Sequence, residues 1–229
     1  IRDTKVIRNF DQPLMEKAGF VILRGNLCDA SVMKTSVISD SFRKQYLSRP
    51  GNENVFEVRA IVFDGPEDYH ARINDPSLEI DVNCILVIRG CGPVGYPGSA
   101  EVVNMQPPDD LIKKGILELP TLGDGRQSGT SGSPSILNVS PESAVGGGLA
   151  LLKTGDTVCI DLNQGSLDVM LEETELEQRR NELKAQEIKH QTPWQEIYRE
   201  TVGQLSGGGI IELAAKYRKI RNTIPRHSH

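Results

Sequence analysis

The sequence has no long apolar segment and no excess of basic residues. Its hydrophobic residues occur in short runs, so no stretch is long enough to cross a membrane, and no apolar leader follows Ile1. The formal net charge of -5 disfavours non-specific binding of nucleic acid, and no basic stripe with interleaved aromatic residues occurs. We therefore expect no nucleic-acid partner and no membrane partner.

Cysteine is scarce and unpaired. The four cysteines are scattered without a Cys-x-x-Cys pair, and their spacing fits neither a disulfide framework nor a cluster held by this chain alone. Cys84 and Cys159 lie in apolar runs and are expected to be buried, whereas Cys28 and Cys91 lie in glycine-rich turns and are expected to be accessible. We expect an intracellular protein of the cytoplasm, with an organelle left open because a targeting segment would lie outside this sequence.

What the sequence does have is a loop rich in glycine and hydroxyl side chains at residues 123–135, Gly-Asp-Gly-Arg-Gln-Ser-Gly-Thr-Ser-Gly-Ser-Pro-Ser. Glycine allows positive φ and close approach to a ligand, and successive amides in such a loop form a concave anion site. No Gly-Lys-Ser/Thr follows, so this is not a Walker loop. By composition alone, a flexible Ser/Gly linker is equally consistent with the segment.

The flanking residues favour a binding loop on an α/β scaffold. Residues 117–122 are predicted to form a strand before the loop. Ser140 and Pro141 are typical of an N-cap and a first helical residue, and a helix is predicted over residues 144–152. The three glycines at 146–148 indicate that this helix packs closely against another backbone.

Short buried strands alternate with helices along the rest of the chain. The predicted strands lie at residues 19–23, 55–63, 84–88, 157–162 and 167–171. The predicted helices lie at residues 66–73, 108–115 and 174–189, with another from Thr192 and a short one after the glycines at 207–209. This alternation predicts the α/β fold class.

Three segments resemble a known enzyme family. Residues 124–129, Asp-Gly-Arg-Gln-Ser-Gly, and residues 139–144, Val-Ser-Pro-Glu-Ser-Ala, resemble the signature near the C-terminus of the dihydroxy-acid and sugar-acid dehydratases. Residues 92–102, a Gly/Pro-rich run, and residues 23–28 resemble two further segments of that family. Gln127 and the Ser/Gly run after it are more similar to the pentonate branch than to the branched-chain amino-acid branch.

The resemblance implies a more specific fold than the pattern of elements does. It implies a β-barrel-like sheet flanked by helices, similar to the swivelling domain of aconitase, with a C-terminal helical extension. Within one C-terminal domain over 1–229, we expect a connector at 1–18, the α/β core at 19–171 and the extension at 172–229. The family holds its iron-sulfur cluster in an N-terminal domain without counterpart here, and the chain begins with Ile, so we expect the C-terminal part of a longer enzyme.

The activity that the resemblance implies is that of a hydro-lyase. Such an enzyme dehydrates a 2,3-dihydroxy acid, here a sugar acid such as a pentonate, to a 2-keto-3-deoxy acid. Because the reaction removes a proton α to a carboxylate and expels hydroxide, it needs a base and a Lewis acid. The implied cofactors are Mg²⁺ and a 2Fe-2S or 4Fe-4S iron-sulfur cluster. The implied partners are the N-terminal domain and further copies of the chain, in a homodimer or homotetramer.

Four residues are carried over from the family with defined roles. Ser128 matches the serine that acts as an alkoxide base, and Glu101 matches the glutamate that completes the Mg²⁺ shell. Gly129 and Thr130 are expected to bind the substrate beside Ser128. Without the resemblance, Ser128 would be interpreted as the cap of a turn and Glu101 as an ordinary surface carboxylate.

The residues leave open more than one role for Arg126 and more than one function for the protein. Arg126 either faces the substrate anion or forms an ion pair with Asp124 that supports the loop. The alternatives to a sugar-acid dehydratase are a dihydroxy-acid dehydratase of branched-chain amino-acid synthesis and a non-catalytic anion-binding module. We expect the isolated chain to fold but to be inactive, since part of the implied active site belongs to the N-terminal domain.

Overall fold

A closed barrel of eight strands forms the centre of the protein. The computed structural model describes residues 3–13, 19–99, 101, 105–126, 134–184 and 188–219. In chain order the strands are β1 (Phe20–Gly25), β2 (Cys28–Lys34), β3 (Val55–Asp64), β4 (Cys84–Arg89), β5 (Thr121–Gly123), β6 (Ser135–Ser140), β7 (Thr157–Asp161) and β8 (Ser166–Val169). Around the barrel they follow the order β1-β2-β6-β5-β4-β3-β7-β8, and β1 closes the ring against β8. The barrel-like α/β fold expected from the sequence is confirmed.

Four neighbouring strands of this barrel run in the same direction. β4 pairs in parallel with β3 and with β5, and β5 pairs in parallel with β6. The carboxyl ends of these four strands therefore meet at one rim, which we call the carboxyl edge. Loops at such an edge are where α/β sheets place their ligands.

In the residues that the structure describes, six short α-helices accompany the barrel. They are α1 (Asp40–Phe42), α2 (Pro66–Arg72), α3 (Asp109–Lys113), α4 (Glu173–Glu182), α5 (Pro193–Thr201) and α6 (Glu212–Ala215). At the start of α5, the Thr192 side chain accepts a hydrogen bond from the N–H of Gln195, as the sequence predicts. In the described part of the chain, no helix combines the length and the apolar character needed to cross a lipid bilayer.

The core has two compartments because β3 and β4 are buried on both faces. Ala60 and Val62 of β3 belong to the interior of the barrel, where apolar residues from all eight strands meet. Ile61 and Phe63, which alternate with them, lie in a second cluster that includes Tyr69 of α2. A strand with two buried faces appears in the sequence as a continuous apolar run, which is why these strands were predicted correctly.

The helical extension is attached to the barrel by a buried ion pair. Arg179 of α4 donates to both carboxylate oxygens of Asp156, at 2.6 and 3.0 Å, and each side chain is only 9% exposed. The same guanidinium donates to the carbonyl oxygen of Leu151 at 3.0 Å. α4 ends at Glu182, earlier than the predicted residue 189, and no side chain caps its start.

The helix predicted over residues 144–152 is wrong. Two separate 3₁₀ turns, Ser143–Val145 and Gly148–Ala150, take its place, because Gly146 adopts a left-handed φ of 83° that ends the first turn. The predicted close packing is nevertheless present. A Cβ on Gly147 would overlap the carbonyl oxygen of Pro141, and one on Gly148 would overlap that of Leu27.

The sequence analysis also missed two strands. β2 and β6 were not predicted, and Ser140, interpreted as a helix N-cap, is the last residue of β6. The glycine- and hydroxyl-rich loop therefore joins two adjacent parallel strands, β5 and β6, rather than a strand and a helix. β6 was missed because its last residue, Ser140, begins a Ser-Pro-Glu sequence that has the composition of a helix start.

Candidate functional site

The loops at the carboxyl edge border a cavity. A cavity of about 1010 Å³ is lined by the segments that follow β3, β4 and β6, including Asp64, Arg89, Tyr96 and Ser143. Much of the Arg89 guanidinium is engaged within the protein, because its Nη1 donates to three backbone carbonyls and its Nε to Asp64 at 2.6 Å. A ligand in this cavity would therefore depend on the neighbouring loops for its polar contacts.

Asp124, the first residue after β5, connects three of these loops. Its side chain is fully buried and accepts hydrogen bonds from the N–H groups of Gly90 at 3.1 Å and Cys91 at 2.8 Å. It also accepts from the N–H of Ser143 at 2.9 Å and from the Ser143 hydroxyl at 2.6 Å. One carboxylate therefore fixes the starts of the loops after β4, β5 and β6 relative to one another.

Glu142 is a second buried carboxylate at the same edge. It accepts hydrogen bonds from the N–H groups of Val94 at 2.9 Å and Gly95 at 2.8 Å, and from the Gln204 amide at 2.8 Å. Burial raises the pKa of the Glu142 carboxyl, while the hydrogen bonds from Gly95, Val94 and Gln204 act in the opposite direction. Glu142 thereby holds the Gly/Pro-rich segment against the turn after β6.

Arg126 pairs with Glu101. Its Nη2 lies 3.5 Å from Oε1 of Glu101, and the side chains are 53% and 46% exposed. Of the two roles considered for Arg126, the ion pair with Asp124 is not found, because the contacts of Asp124 are made to Gly90, Cys91 and Ser143. The ion pair with Glu101 brings the end of the Gly/Pro-rich segment beside the start of the loop at residues 123–135, which we call the signature loop.

The other predicted site residues are not placed by the structure. Ser128, Gly129 and Thr130 lie outside the described residues, and their roles stay predictions. The positions on either side are described: Arg126 lies beside Glu101 shortly after the carboxyl end of β5, and the loop ends at Ser135, where β6 begins next to Thr121 at the start of β5.

The cysteines are less accessible than expected. Cys28 and Cys91, predicted to be accessible, are buried, because each packs into the apolar core next to its turn. Burial raises the pKa of the Cys28 thiol to about 11 and raises that of Cys91 further. Cys84 is buried as predicted, and Cys159 is half-buried. Buried, scattered thiols do not fit an iron-sulfur cluster, which requires several thiolates around one centre.

The residues that the structure describes do not form a complete magnesium site by themselves. Among the residues that the structure describes, no group of three or more His, Cys, Asp or Glu side chains converges as a metal site. Glu101 offers a half-exposed carboxylate beside Arg126, and a carboxylate oxygen is a ligand that Mg²⁺ prefers. Of the described residues, Glu101 would thus be one protein ligand of a site that other groups complete.

Sequence reasoning missed several residues that organise this site. Glu142, Gln204 and Arg199 were not singled out, although Glu142 lies inside a segment that carried the family resemblance. An acidic residue between Pro141 and Ser143 is compatible with an exposed first helical turn, and nothing in the local pattern indicates full burial. The partners of Glu142 come from distant parts of the chain, so only the fold reveals them.

Comparison with known proteins gives a consistent result over almost the whole chain. The family described as "Dihydroxy-acid/6-phosphogluconate dehydratase C-terminal" matches residues 5–209. The chain is 61% identical over 227 residues to a D-xylonate dehydratase of Caulobacter vibrioides, covering 99% of this chain and 38% of that protein. It is 42% identical over 174 residues to an L-arabinonate dehydratase of Rhizobium leguminosarum bv. trifolii, covering 76% of this chain and 28% of the relative.

More distant relatives include dihydroxy-acid dehydratases. One from Clostridium kluyveri is 34% identical over 214 residues, which covers 93% of this chain and 36% of the relative. The chain therefore spans less than two fifths of the length of each of these curated relatives.

Proposed function

The chain belongs to the dihydroxy-acid/6-phosphogluconate dehydratase family as its C-terminal domain, and on this premise we propose that it is the C-terminal part of a sugar-acid dehydratase. The substrate would be a pentonate, and the product a 2-keto-3-deoxy acid formed by loss of the C2 proton and the C3 hydroxyl. The observation that carries this proposal is the match along nearly the whole chain to a D-xylonate dehydratase. The similarity to an L-arabinonate dehydratase supports the same substrate class.

Ser128 is proposed as the base that removes the C2 proton. A serine hydroxyl is too weak an acid to ionise by itself at neutral pH, so its anion needs nearby cations or N–H donors. Two residues before it, Arg126 supplies a positive charge. Gly129 and Thr130 would bind the substrate next to Ser128 through the backbone amides and hydroxyl of the same loop.

Glu101 is proposed as this chain's ligand to Mg²⁺. When bound, the ion would supply Lewis acidity for the departing hydroxide. Arg126 neutralises the Glu101 carboxylate and holds it at the carboxyl edge. Binding of a cation there would release the guanidinium, which would then be available to the carboxylate of the substrate.

The remaining parts of the enzyme are proposed to lie in an N-terminal domain. The thiols of this chain do not fit an iron-sulfur cluster, so the cluster, whether 2Fe-2S or 4Fe-4S, is assigned to that domain. We also propose that residues 1–229 form a single domain, divided after residues 18 and 171. The enzyme is proposed to assemble as a homodimer or homotetramer. Four free thiols are typical of a reducing compartment, and we propose the cytoplasm.

A dihydroxy-acid dehydratase of branched-chain amino-acid synthesis is the second candidate. The 34% identity to such a protein from Clostridium kluyveri favours it as the next substrate class to test, with the same residues in the same roles. A non-catalytic anion-binding module is the third. It would use the loop at residues 123–135 without chemistry.

One assay separates these three functions. The full-length protein is purified without oxygen, supplied with Mg²⁺ and incubated with D-xylonate, L-arabinonate, hexonates and 2,3-dihydroxyisovalerate, while 2-keto acid formation is followed. Turnover of a pentonate supports the proposal. Turnover of 2,3-dihydroxyisovalerate alone assigns the second function. No turnover by cluster-loaded protein contradicts both enzymatic assignments and favours the binding module.

A further inference from the structure

The backbone of Val94 and Gly95 is held on both sides by side chains from distant parts of the chain. On one side, Glu142 accepts the N–H of Val94 at 2.9 Å and that of Gly95 at 2.8 Å. On the other side, Arg199 of α5 donates from Nε to the carbonyl oxygen of Val94 at 2.8 Å and from Nη2 to that of Gly95 at 3.4 Å. Donors and acceptors of two successive residues are therefore occupied at once.

Gln204 completes this arrangement through a reciprocal pair with Glu142. Its Nε2 donates to Oε1 of Glu142 at 2.8 Å, and its Oε1 accepts the N–H of Glu142 at 2.7 Å. The described groups that hydrogen-bond to the Glu142 carboxylate, the N–H groups of Val94 and Gly95 and the Gln204 amide, are thus all donors. A glutamine at position 142 would turn one of its two acceptors into a donor and leave one donor facing another, which is unfavourable in a buried site.

The held backbone belongs to the loop that carries Glu101. The loop has its own internal hydrogen bonds, from the N–H of Tyr96 to the carbonyl of Gly92 at 2.8 Å and from the N–H of Ser99 to the carbonyl of Tyr96 at 2.7 Å. At its start, the N–H of Cys91 is fixed by Asp124. Residues 94 and 95 therefore lie in a hydrogen-bonded segment that extends to Ser99, two residues before Glu101.

We infer that Glu142, Gln204 and Arg199 are positioning residues that hold residues 94 and 95 and thereby fix the location of the Glu101 carboxylate at the carboxyl edge. This inference rests on the proposed role of Glu101 as a magnesium ligand. It assigns a function to the helical extension, since Arg199 lies in α5 and Gln204 shortly after it. These three residues act on the metal site through the backbone of the loop and do not contact the reacting atoms.

The first test measures how firmly residues 94 and 95 are held, without metal or turnover. We call the hydrogen bonds of Glu142, Gln204 and Arg199 that hold them the clamp. Amide hydrogen exchange at residues 94 and 95 is compared in the 229-residue chain and in its Glu142→Gln and Arg199→Lys variants. The double variant Glu142→Gln/Gln204→Glu exchanges the two side chains. The carboxylate at position 204 can then accept from the side-chain amide at position 142 and from the backbone N–H of residue 142. Glu182→Gln, the same change on an exposed helix position, is the matched control.

We expect exchange at these amides to accelerate at least about tenfold in Glu142→Gln and to return toward the original rate in the double variant. The control should match the parent chain. Unchanged exchange in Glu142→Gln would overturn the clamp. If Glu142→Gln fails to fold, a well-folded Arg199→Lys with unchanged exchange would overturn it equally.

The second test measures the consequence for the metal. Mg²⁺ affinity is measured by titration calorimetry of the full-length protein. Glu142→Gln should weaken it about tenfold, the lower end of the effect typical for residues that orient a ligand. The double variant should recover the original affinity. Unaltered Mg²⁺ affinity despite faster exchange would overturn the link to Glu101. If the wild-type protein binds Mg²⁺ but dehydrates no acid, the proposed function fails while this inference stands.

Discussion

Arg126 and Glu101 form an ion pair that joins the Gly/Pro-rich segment to the start of the signature loop, with Nη2 of the arginine 3.5 Å from Oε1 of the glutamate. Both residues were identified from the sequence, each in a different segment and for a different reason. Their proximity is what supports treating the two segments as one site. In the proposed function, a cation that binds Glu101 replaces Arg126 in this pair.

Arg126→Ala is expected to impair substrate binding without weakening the fold. Because both partners are about half exposed, loss of the ion pair should lower the free energy of unfolding by no more than about 1 kcal/mol. A charge-assisted hydrogen bond to the substrate carboxylate contributes roughly 1.5–3 kcal/mol, so KM for the sugar acid should rise about tenfold or more. Urea unfolding and steady-state kinetics of the full-length enzyme measure the two quantities.

Lys113→Ala is the matched control for that experiment. Lys113 also forms an exposed ion pair, at 3.6 Å from Asp110, on a helix away from the proposed site. The Lys113→Ala substitution should leave both KM and the free energy of unfolding unchanged. Equal KM values for the Arg126 and Lys113 variants would show that the guanidinium does not contact the substrate.

Gly92→Ala should disturb the site although the backbone of Gly92 is not in the left-handed region. A Cβ at this position would overlap the carboxylate of Glu142, which accepts hydrogen bonds from residues 94 and 95. We expect the substitution to displace that carboxylate, reducing Mg²⁺ affinity and lowering thermal stability, since overpacking typically destabilises by about 1–3 kcal/mol.

The control for Gly92→Ala is Gly207→Ala, since a Cβ on Gly207 meets no atom within 4 Å and needs no left-handed φ. This variant should melt at the parent temperature. A Gly92→Ala protein with unaltered melting temperature and Mg²⁺ affinity would show that the loop adapts without effect. Differential scanning calorimetry and metal titration provide both measurements.

Thiol labelling should distinguish the four cysteines. Cys159 is half-buried, whereas Cys28, Cys84 and Cys91 are buried. The reactive species is the thiolate, and burial raises the pKa of Cys28 to about 11 and that of Cys91 further, so few of these thiols ionise at neutral pH. Iodoacetamide followed by peptide mass spectrometry should therefore label Cys159 first in the native chain. Labelling of Cys91 at the rate of Cys159 would contradict the buried position, and denaturant should make all four equally reactive.

The extent to which the sequence predicted the fold depended on how each strand is buried. β3 and β4 carry continuous apolar runs because both faces are covered, and their predicted bounds were nearly right. β2 and β6 interleave polar residues with apolar ones and border glycine-rich turns, so they did not stand out. Closure of the barrel rests on pairings between strands distant in the chain, which local patterns do not contain.

The same distinction applies to the site. Residues in a recognisable motif, such as Glu101 and Arg126, were found, and the structure places these two side by side. Glu142 and Gln204, which bury their polar groups against each other across the fold, were not found. A buried polar pair is defined by its partners, and a single sequence without the fold does not show which residues will meet.

The most direct test of the account is the activity of Ser128→Ala in the full-length enzyme with D-xylonate and Mg²⁺. The account predicts that turnover falls by about 10²–10⁴-fold, the usual contribution of a general base, while Mg²⁺ affinity and the melting temperature stay those of the parent protein. Near-normal turnover in this variant would contradict the assignment of Ser128, and with it the proposal that this chain provides the base for dehydration.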